Sequence, residues 1–230
     1  NYYGYFTTSF SITYGRISNC DITVSNESLV FDGTEKKPAV TVTCNGNTLT
    51  QGQDYTLYYH ANTNAGSATV TITGKGRFSG SVEKAFQIQP ADLSRSSVDL
   101  SADSFTYDGT EKKPSVTVKT GNRQLTANSD YTVSFVNNTN AGSATVTVTG
   151  KGNYSGSVTK NFTISAASLE KAELALSASS FTYDGTEKKP DVTVTVNKKQ
   201  LKKGTDYTVS YDNNTNIGTA SVTITGKGNY

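Results

Sequence analysis

The chain has 230 residues, 17% of them charged, a net charge of +2, and neither Met nor Trp. So small a positive excess, with the lysines gathered in Glu-Lys-Lys-Pro turns, leaves no electrostatic footprint for nucleic acid. No apolar run approaches the roughly 20 residues that cross a bilayer, and Val, Ile, Phe and Tyr at period two with few charges argue against disorder.

One spacing organises the sequence. Phe31-Asp32-Gly33-Thr34 returns as Tyr107-Asp108-Gly109-Thr110 and as Tyr183-Asp184-Gly185-Thr186, a step of 76 residues each time, and Gly74-Lys75-Gly76 recurs at 150–152 and 226–228. Ser104–Val118 and Ser180–Val194 agree at 14 of 15 positions, differing only at Ser115 and Asp191. Without insertions or deletions, each 76-residue unit reads as one folded module in a tandem array. An active site does not usually come in triplicate.

In chain order, residues 1–12 align with 153–164 and are expected to be the closing strand of a preceding repeat. Repeats then span 13–88, 89–164 and 165–230, the third stopping where its own last strand is due. The lack of an initiating Met and of a signal peptide reads as a piece of a longer mature protein. Two expectations follow for the ends. Either the spare strand of one copy completes the third repeat of the next by strand addition, giving a head-to-tail filament, or both ends are continuous with neighbouring repeats.

Cys20 and Cys44 lie in the first repeat, and the matching positions are Ser96 and Thr120, then Ala172 and Val196. If residues 20–24 pair antiparallel with 40–44, a register of 22 with 42 and 24 with 40 sets Cys20 opposite Cys44. That geometry permits a disulfide, which suits an oxidising compartment; two free thiols at strand ends fit the same spacing.

The second repeat shows the elements most plainly. Val98–Ser101, Phe105–Tyr107, Ser115–Lys119, Asp130–Phe135, Ala144–Thr149 and Val158–Ile164 alternate as strands, with turns at 108–110, 120–122, 137–142 and 150–152. A faint 3.6-residue stripe appears only in the connector 168–174. Six or seven short strands with a turn every ten or so residues predict an all-β module, an antiparallel immunoglobulin-like sandwich. Tyr55, Tyr131 and Tyr207, with Phe10, Phe86 and Phe162, and Leu29, Phe105 and Phe181, recur at the repeat step and are expected in the core.

Tyr-Asp-Gly-Thr-Glu-Lys-Lys-Pro, Asp-Tyr-Thr-Val-Ser-Tyr at 206–211, Asn-Thr-Asn-Ala-Gly and Thr-Gly-Lys-Gly-Asn-Tyr together resemble the tandem bacterial immunoglobulin-like repeats of the Tyr-Asp-Gly (MBG-like) type in large surface proteins of Firmicutes. The resemblance covers nearly the whole chain. It implies an extracellular, secreted or wall-attached protein in which the modules form a stalk, spacer or display array. It brings no catalytic residues, cofactor or ligand, and short connectors such as 89–93 suggest a semi-rigid rod.

No chemical constellation competes with that reading. The sole histidine, His60, is replaced by Val136 and Asp212 in the other repeats, so no triad or metal cluster recurs around it. Gly150-Lys151-Gly152 lacks phosphate-loop spacing and a following helix. The stretch 212–218 alternates oxygen donors but has Gly218 and Thr223 where an EF-hand loop wants other positions and types. Lys84 and Lys160 fall on the inward phase of their strand without a recurring acid and read as snorkelling side chains. We therefore expect no enzyme, cofactor or metal. The remaining candidates are unmatched aromatics: Tyr3 and Tyr5, where Ser79 and Ser81 stand one repeat on, and Tyr58, where Ser134 stands. Exposed Tyr, with His60 beside Tyr58, fits an adhesin surface for a glycan or host protein in a Tyr-rich first repeat.

Overall fold

The computed structural model describes residues 2–25 and 28–230. Residues 2–14 carry no strand and are exposed throughout. The closing strand expected at 1–12 therefore pairs with nothing in this chain, and its Asn1 lies outside the described residues. A lone strand leaves its N–H and C=O groups to water, so nothing holds it extended.

The first repeat runs β1 (Gly15–Arg16), a 3-10 turn at Ile17–Asn19, then β2 (Asp21–Val24), β3 (Leu29–Val30), β4 (Val40–Cys44), β5 (Asn47–Thr48), β6 (Tyr55–His60), β7 (Gly66–Gly74), β8 (Phe78–Ser79) and β9 (Ser81–Gln89). They form two sheets, β2-β4-β5 and β3-β9-β7-β6, with β1 paired in parallel to β8. Within those two sheets all neighbours are antiparallel except β3 and β9, which run parallel. Period two sets the two faces: on β7, Ala68, Val70 and Ile72 are buried while Ser67 and Thr73 are not.

The second repeat repeats the scheme with β10 (Ala91–Asp92), β11 (Ser97–Leu100), β12 (Ser104–Thr106), β13 (Val116–Thr120), β14 (Arg123–Gln124), β15 (Tyr131–Val136), β16 (Gly142–Gly150), β17 (Tyr154–Ser155) and β18 (Ser157–Ser165). Its sheets are β11-β13-β14 and β12-β18-β16-β15. The third has β19 (Glu173–Leu176), β20 (Val192–Val196), β21 (Lys199–Gln200), β22 (Tyr207–Asp212) and β23 (Ser221–Gly226). Its first sheet is β19-β20-β21, and its second contains β22 and β23 alone among the described residues. The modules are all-β immunoglobulin-like sandwiches, and the connector 168–174 is a turn leading into β19 rather than a helix.

By packing, the chain falls into two compact units. One holds the residues up to Ser94 with Ala127–Tyr131 and Thr149–Gly156; the other holds Arg95–Thr126, Thr132–Val148 and Ser157–Tyr230. In the first unit Ile17, Val42, Tyr55, Ala68, Val70, Ile72 and Ile88 are buried. In the second, Val192, Val194, Val196, Leu201 and Tyr207 form a buried cluster, against which Val222, Ile224 and Tyr230 pack half-buried.

Two of the residues expected in the core lie outside it. Phe162 on β18 is buried and meets Phe105 edge-on at 5.5 Å, but Phe10 and Phe181 are exposed. The reason is local. Phe105 is covered because β12 lies beside β18, whereas Phe181 sits in a stretch with no strand and Phe10 in the strandless segment.

Candidate functional site

The feature that recurs with chemical detail is a pair of turns. In the Tyr-Asp-Gly-Thr turn of the second repeat, Asp108 Oδ1 accepts hydrogen bonds from the Thr110 backbone N–H at 2.8 Å and from its hydroxyl at 2.6 Å. Lys112 closes the turn with an ion pair to Asp108 Oδ2 at 2.5 Å. That ion pair, then the Thr110 hydroxyl and N–H, hold the Asp108 carboxyl well below the usual carboxylate range. Lys112 N–H donates to the Asn138 carbonyl at 2.7 Å, and Asn138 Nδ2 returns a bond to the Lys112 carbonyl at 2.9 Å. Asp32 with Lys36 and Asn62, and Asp184 with Lys188 and Asn214, repeat the arrangement. The charged turn thus pins the Asn-rich loop beside it.

The second turn is Gly-Lys-Gly-Asn-Tyr. A side chain at Gly150 would place its Cβ 2.7 Å from Ser155 N and 2.8 Å from Tyr154 C, so only glycine lets the backbone fold back this tightly. Lys151 anchors the turn by donating its N–H to the Asp130 carbonyl at 2.9 Å and its ammonium to the Asn128 carbonyl at 2.8 Å. Gly152 has φ of 65°. The result is that Asn153 and Tyr154 project away from their own hairpin.

Both residues reach the preceding repeat. Asn153 Oδ1 accepts from the Ala65 N–H at 2.8 Å, and its Nδ2 donates to Asn64 Oδ1 at 3.0 Å, so the side-chain amide is satisfied on both ends by the Asn-Thr-Asn-Ala-Gly loop. Tyr154 meets Phe31 edge-on at 5.5 Å, and the connector joins in, with Ala91 N–H donating to the Asn153 carbonyl at 2.9 Å. Within the second unit the same contacts recur 76 residues on. Asn229 Oδ1 accepts from Ala141 N–H at 2.7 Å, Asn229 Nδ2 donates to Asn140 Oδ1 at 3.1 Å, and Tyr230 meets Tyr107 edge-on at 5.5 Å. Here Lys199 also donates to the Tyr230 hydroxyl at 3.3 Å, which raises its pKa. We call this contact the latch. The first repeat has Arg77 and Phe78 at the latch positions, and Arg77 turns to Asp54 of its own repeat at 3.6 Å.

Sequence reasoning recognised Gly-Lys-Gly as a hairpin turn and Asn-Tyr as part of a repeat motif, but not the latch. Its signal was there: an Asn after Gly-Lys-Gly in two repeats, and an invariant second Asn in the facing loop.

The residues singled out from sequence do not gather in one place. Cys20 and Cys44 are joined by a disulfide, with Cα atoms 4.5 Å apart. The register beside it is Ile22 with Val42 and Val24 with Val40. Tyr58 and His60 share the outward face of β6, opposite Thr71 and Thr69, and Tyr58 is 68% exposed. Tyr3 and Tyr5 lie in the strandless segment, fully exposed, and no hydrogen bond or ring contact joins them to Tyr58 or His60 among the described residues. Lys84 is exposed and Lys160 half-buried. Among the described residues no three His, Cys, Asp or Glu side chains gather as a metal site.

Residues 103–166 match the family model of the bacterial Ig-like domain, group 3. The matched stretch covers β12 through β18 and includes the charged turn, the Asn loop and the latch turn of the second repeat. No curated protein and no solved structure matches the chain. A bacterial Ig-like domain is consistent with a structural or adhesion-type surface module.

Proposed function

We propose that the chain is a non-enzymatic spacer of a bacterial surface protein: a stalk of immunoglobulin-like repeats, of the Tyr-Asp-Gly type seen in Firmicutes, working outside the cell. The observation that carries this reading is the latch. In two of the three turns asparagine and tyrosine hold the preceding repeat, on a turn that glycine and lysine shape, and the interaction recurs at the repeat step. A side chain satisfied at both ends by the neighbouring repeat serves geometry rather than turnover. The Cys20–Cys44 disulfide supports an oxidising compartment. Small-angle scattering is expected to report an extended particle, and a compact globule would end the spacer reading.

A second reading rests on Tyr58 and His60. They stand side by side on an exposed sheet face where the other repeats have Ser134 and Val136, then Ser210 and Asp212. Such a surface suits an adhesin module for a glycan or host protein. A glycan and protein array in which Tyr58→Ser abolishes a signal supports it; equal binding by all three repeats counts against it.

A further inference from the structure

We propose that the β20–β21 hairpin of the third repeat, with the turn that follows it, binds a linear anionic polysaccharide through the ammonium groups of Lys198, Lys202, Lys203 and Lys227. Charge is nearly balanced over the whole chain, but not over this surface. Residues 197–206 carry four lysines and one acid, Asp206. The matching stretch of the first repeat, 45–54, has Asp54 and no cation, and that of the second, 121–130, has Arg123 and Asp130. Where Lys198, Lys202 and Lys203 stand, the first repeat has Gly46, Thr50 and Gln51.

These lysines differ from those of the charged turns. Lys36, Lys37, Lys112, Lys113, Lys188 and Lys189 each pair with a carboxylate. Lys198, Lys202 and Lys203 are exposed and make no ion pair among the described residues. The one acid of the stretch is committed to its own turn: Asp206 is half-buried, and its Oδ2 accepts the Lys202 backbone N–H at 2.8 Å.

The backbone holds the charges in place. Asn197 and Lys198 form the two-residue turn between β20 and β21, closed by the pairing of Val196 with Lys199. Lys198 has φ of 65°, a region that disfavours a side chain, and Gly46 holds the matching position in the first repeat at φ of 79°. Lysine is thus kept at the tip against its backbone preference. Beyond it, buried Leu201 donates its N–H to the Val194 carbonyl at 2.8 Å. Gly204 N–H then bonds the Tyr207 carbonyl at 2.7 Å and Asp206 N–H the Lys202 carbonyl at 2.8 Å, fixing the Lys202-Lys203 turn. Lys227 donates its ammonium to the Gly204 carbonyl at 2.9 Å, which sets a fourth positive charge beside that turn. Lys199 is taken up by the latch.

The chemistry selects the occupant. Ammonium groups are compact point charges without the planar fork that arginine offers a single anion, so a row of them suits successive charges along a polymer. Residues 197–206 contain no aromatic ring on which a base could stack. Their one large apolar side chain, Leu201, is buried and does not enter a membrane. Outside the cell, where the spacer reading on which this step rests places the chain, a linear polyanion of this kind is a polysaccharide.

Heparin, used as the probe, tests the proposal with the 230-residue chain by calorimetric titration at several salt concentrations. Three to four neutralised charges should weaken binding by about twenty- to fifty-fold between 50 mM and 200 mM salt. Changing Lys198, Lys202 and Lys203 together to Gln should weaken it at least about tenfold and flatten the salt dependence. The same three positions changed to Arg should retain binding, and Lys37→Gln with Lys113→Gln, which alters paired lysines, should leave it unchanged. All these side chains are exposed, so circular dichroism should show the same folded state throughout. Absence of heparin binding at 50 mM salt overturns the proposal, as does equal binding by the triple Gln chain. Tighter binding to vesicles of anionic lipid, or to a thymidine oligonucleotide, than to heparin also overturns it and assigns the surface to lipid or nucleic acid. Scattering from the triple Gln chain tests the spacer reading alone.

Discussion

Asparagine 153 does what few surface side chains do: its one amide is used as donor and acceptor by a loop 88 residues away in sequence. Asn153→Ala removes both bonds and leaves the part-buried Ala65 N–H without its partner, which should destabilise the chain by about 1–2 kcal/mol. Asn153→Asp keeps the acceptor for Ala65 but sets a carboxylate against Asn64 Oδ1, so it should fall between. Urea midpoints of the three proteins order them, and an unchanged midpoint for Asn153→Ala would show the latch to be idle. The charged turn makes a pH prediction. Asp32, Asp108 and Asp184 are each held well below the usual carboxylate range, first by the facing lysine and then by threonine. A folded value below the unfolded one means the stabilisation is complete above about pH 4 and is lost as pH falls through the lower folded value. The three carboxylates are exposed, so each effect is small. Asp108→Asn should lower the plateau above about pH 4 by the small amount the carboxylate contributes and flatten that share of the acid limb, leaving stability at the acid end little changed, and urea titrations across that range measure it.

At the scale of the strand, much of this architecture could be read in advance because period two is a strict rule: a one-residue slip reverses every side chain. Alternation of Ile22 and Val24 against Val40 and Val42 sufficed to place Cys20 opposite Cys44. Two-residue strands such as β5, β8, β10, β14 and β17 were illegible, since two residues hold no period. The core assignments of Phe10 and Phe181 failed for a related reason. Periodicity says which face of a strand is apolar, not whether a second strand covers it. The latch went unread because its halves lie in different repeats and no local pattern joins Asn153 to Ala65. The disulfide gives the element-scale prediction. It closes a sequence separation of 24 residues, for which the loop-entropy relation gives about 3.5 kcal/mol. Reduction, or Cys20→Ser with Cys44→Ser, should lower the unfolding temperature of the first repeat and leave the transitions of the other two in place. Calorimetry with and without reductant resolves this, and a uniform shift of every transition would argue against a local staple.

Across the whole molecule, three near-copies of one sequence provide an internal control. Where matched residues of two repeats behave differently, the cause is packing. Stability of a tandem array is approximately a sum of repeat terms and nearest-neighbour terms, and the repeats differ in both. Strands β7 and β16 are flanked on both sides, while β23 is flanked on one. Val70 and Ile72 are sealed from solvent, but Val222 and Ile224 are half-buried. Leaving two such side chains partly wet withholds about 1–2 kcal/mol at the usual apolar coefficient. Local opening free energies set amide protection. Amides of β23 should therefore exchange about tenfold faster, or more, than those of β7 and β16, whose sequences are nearly the same. Hydrogen-exchange mass spectrometry can follow peptides from all three strands in a single experiment. Equal protection of the three strands would mean that β23 is covered within the monomer and that the third repeat has no open edge.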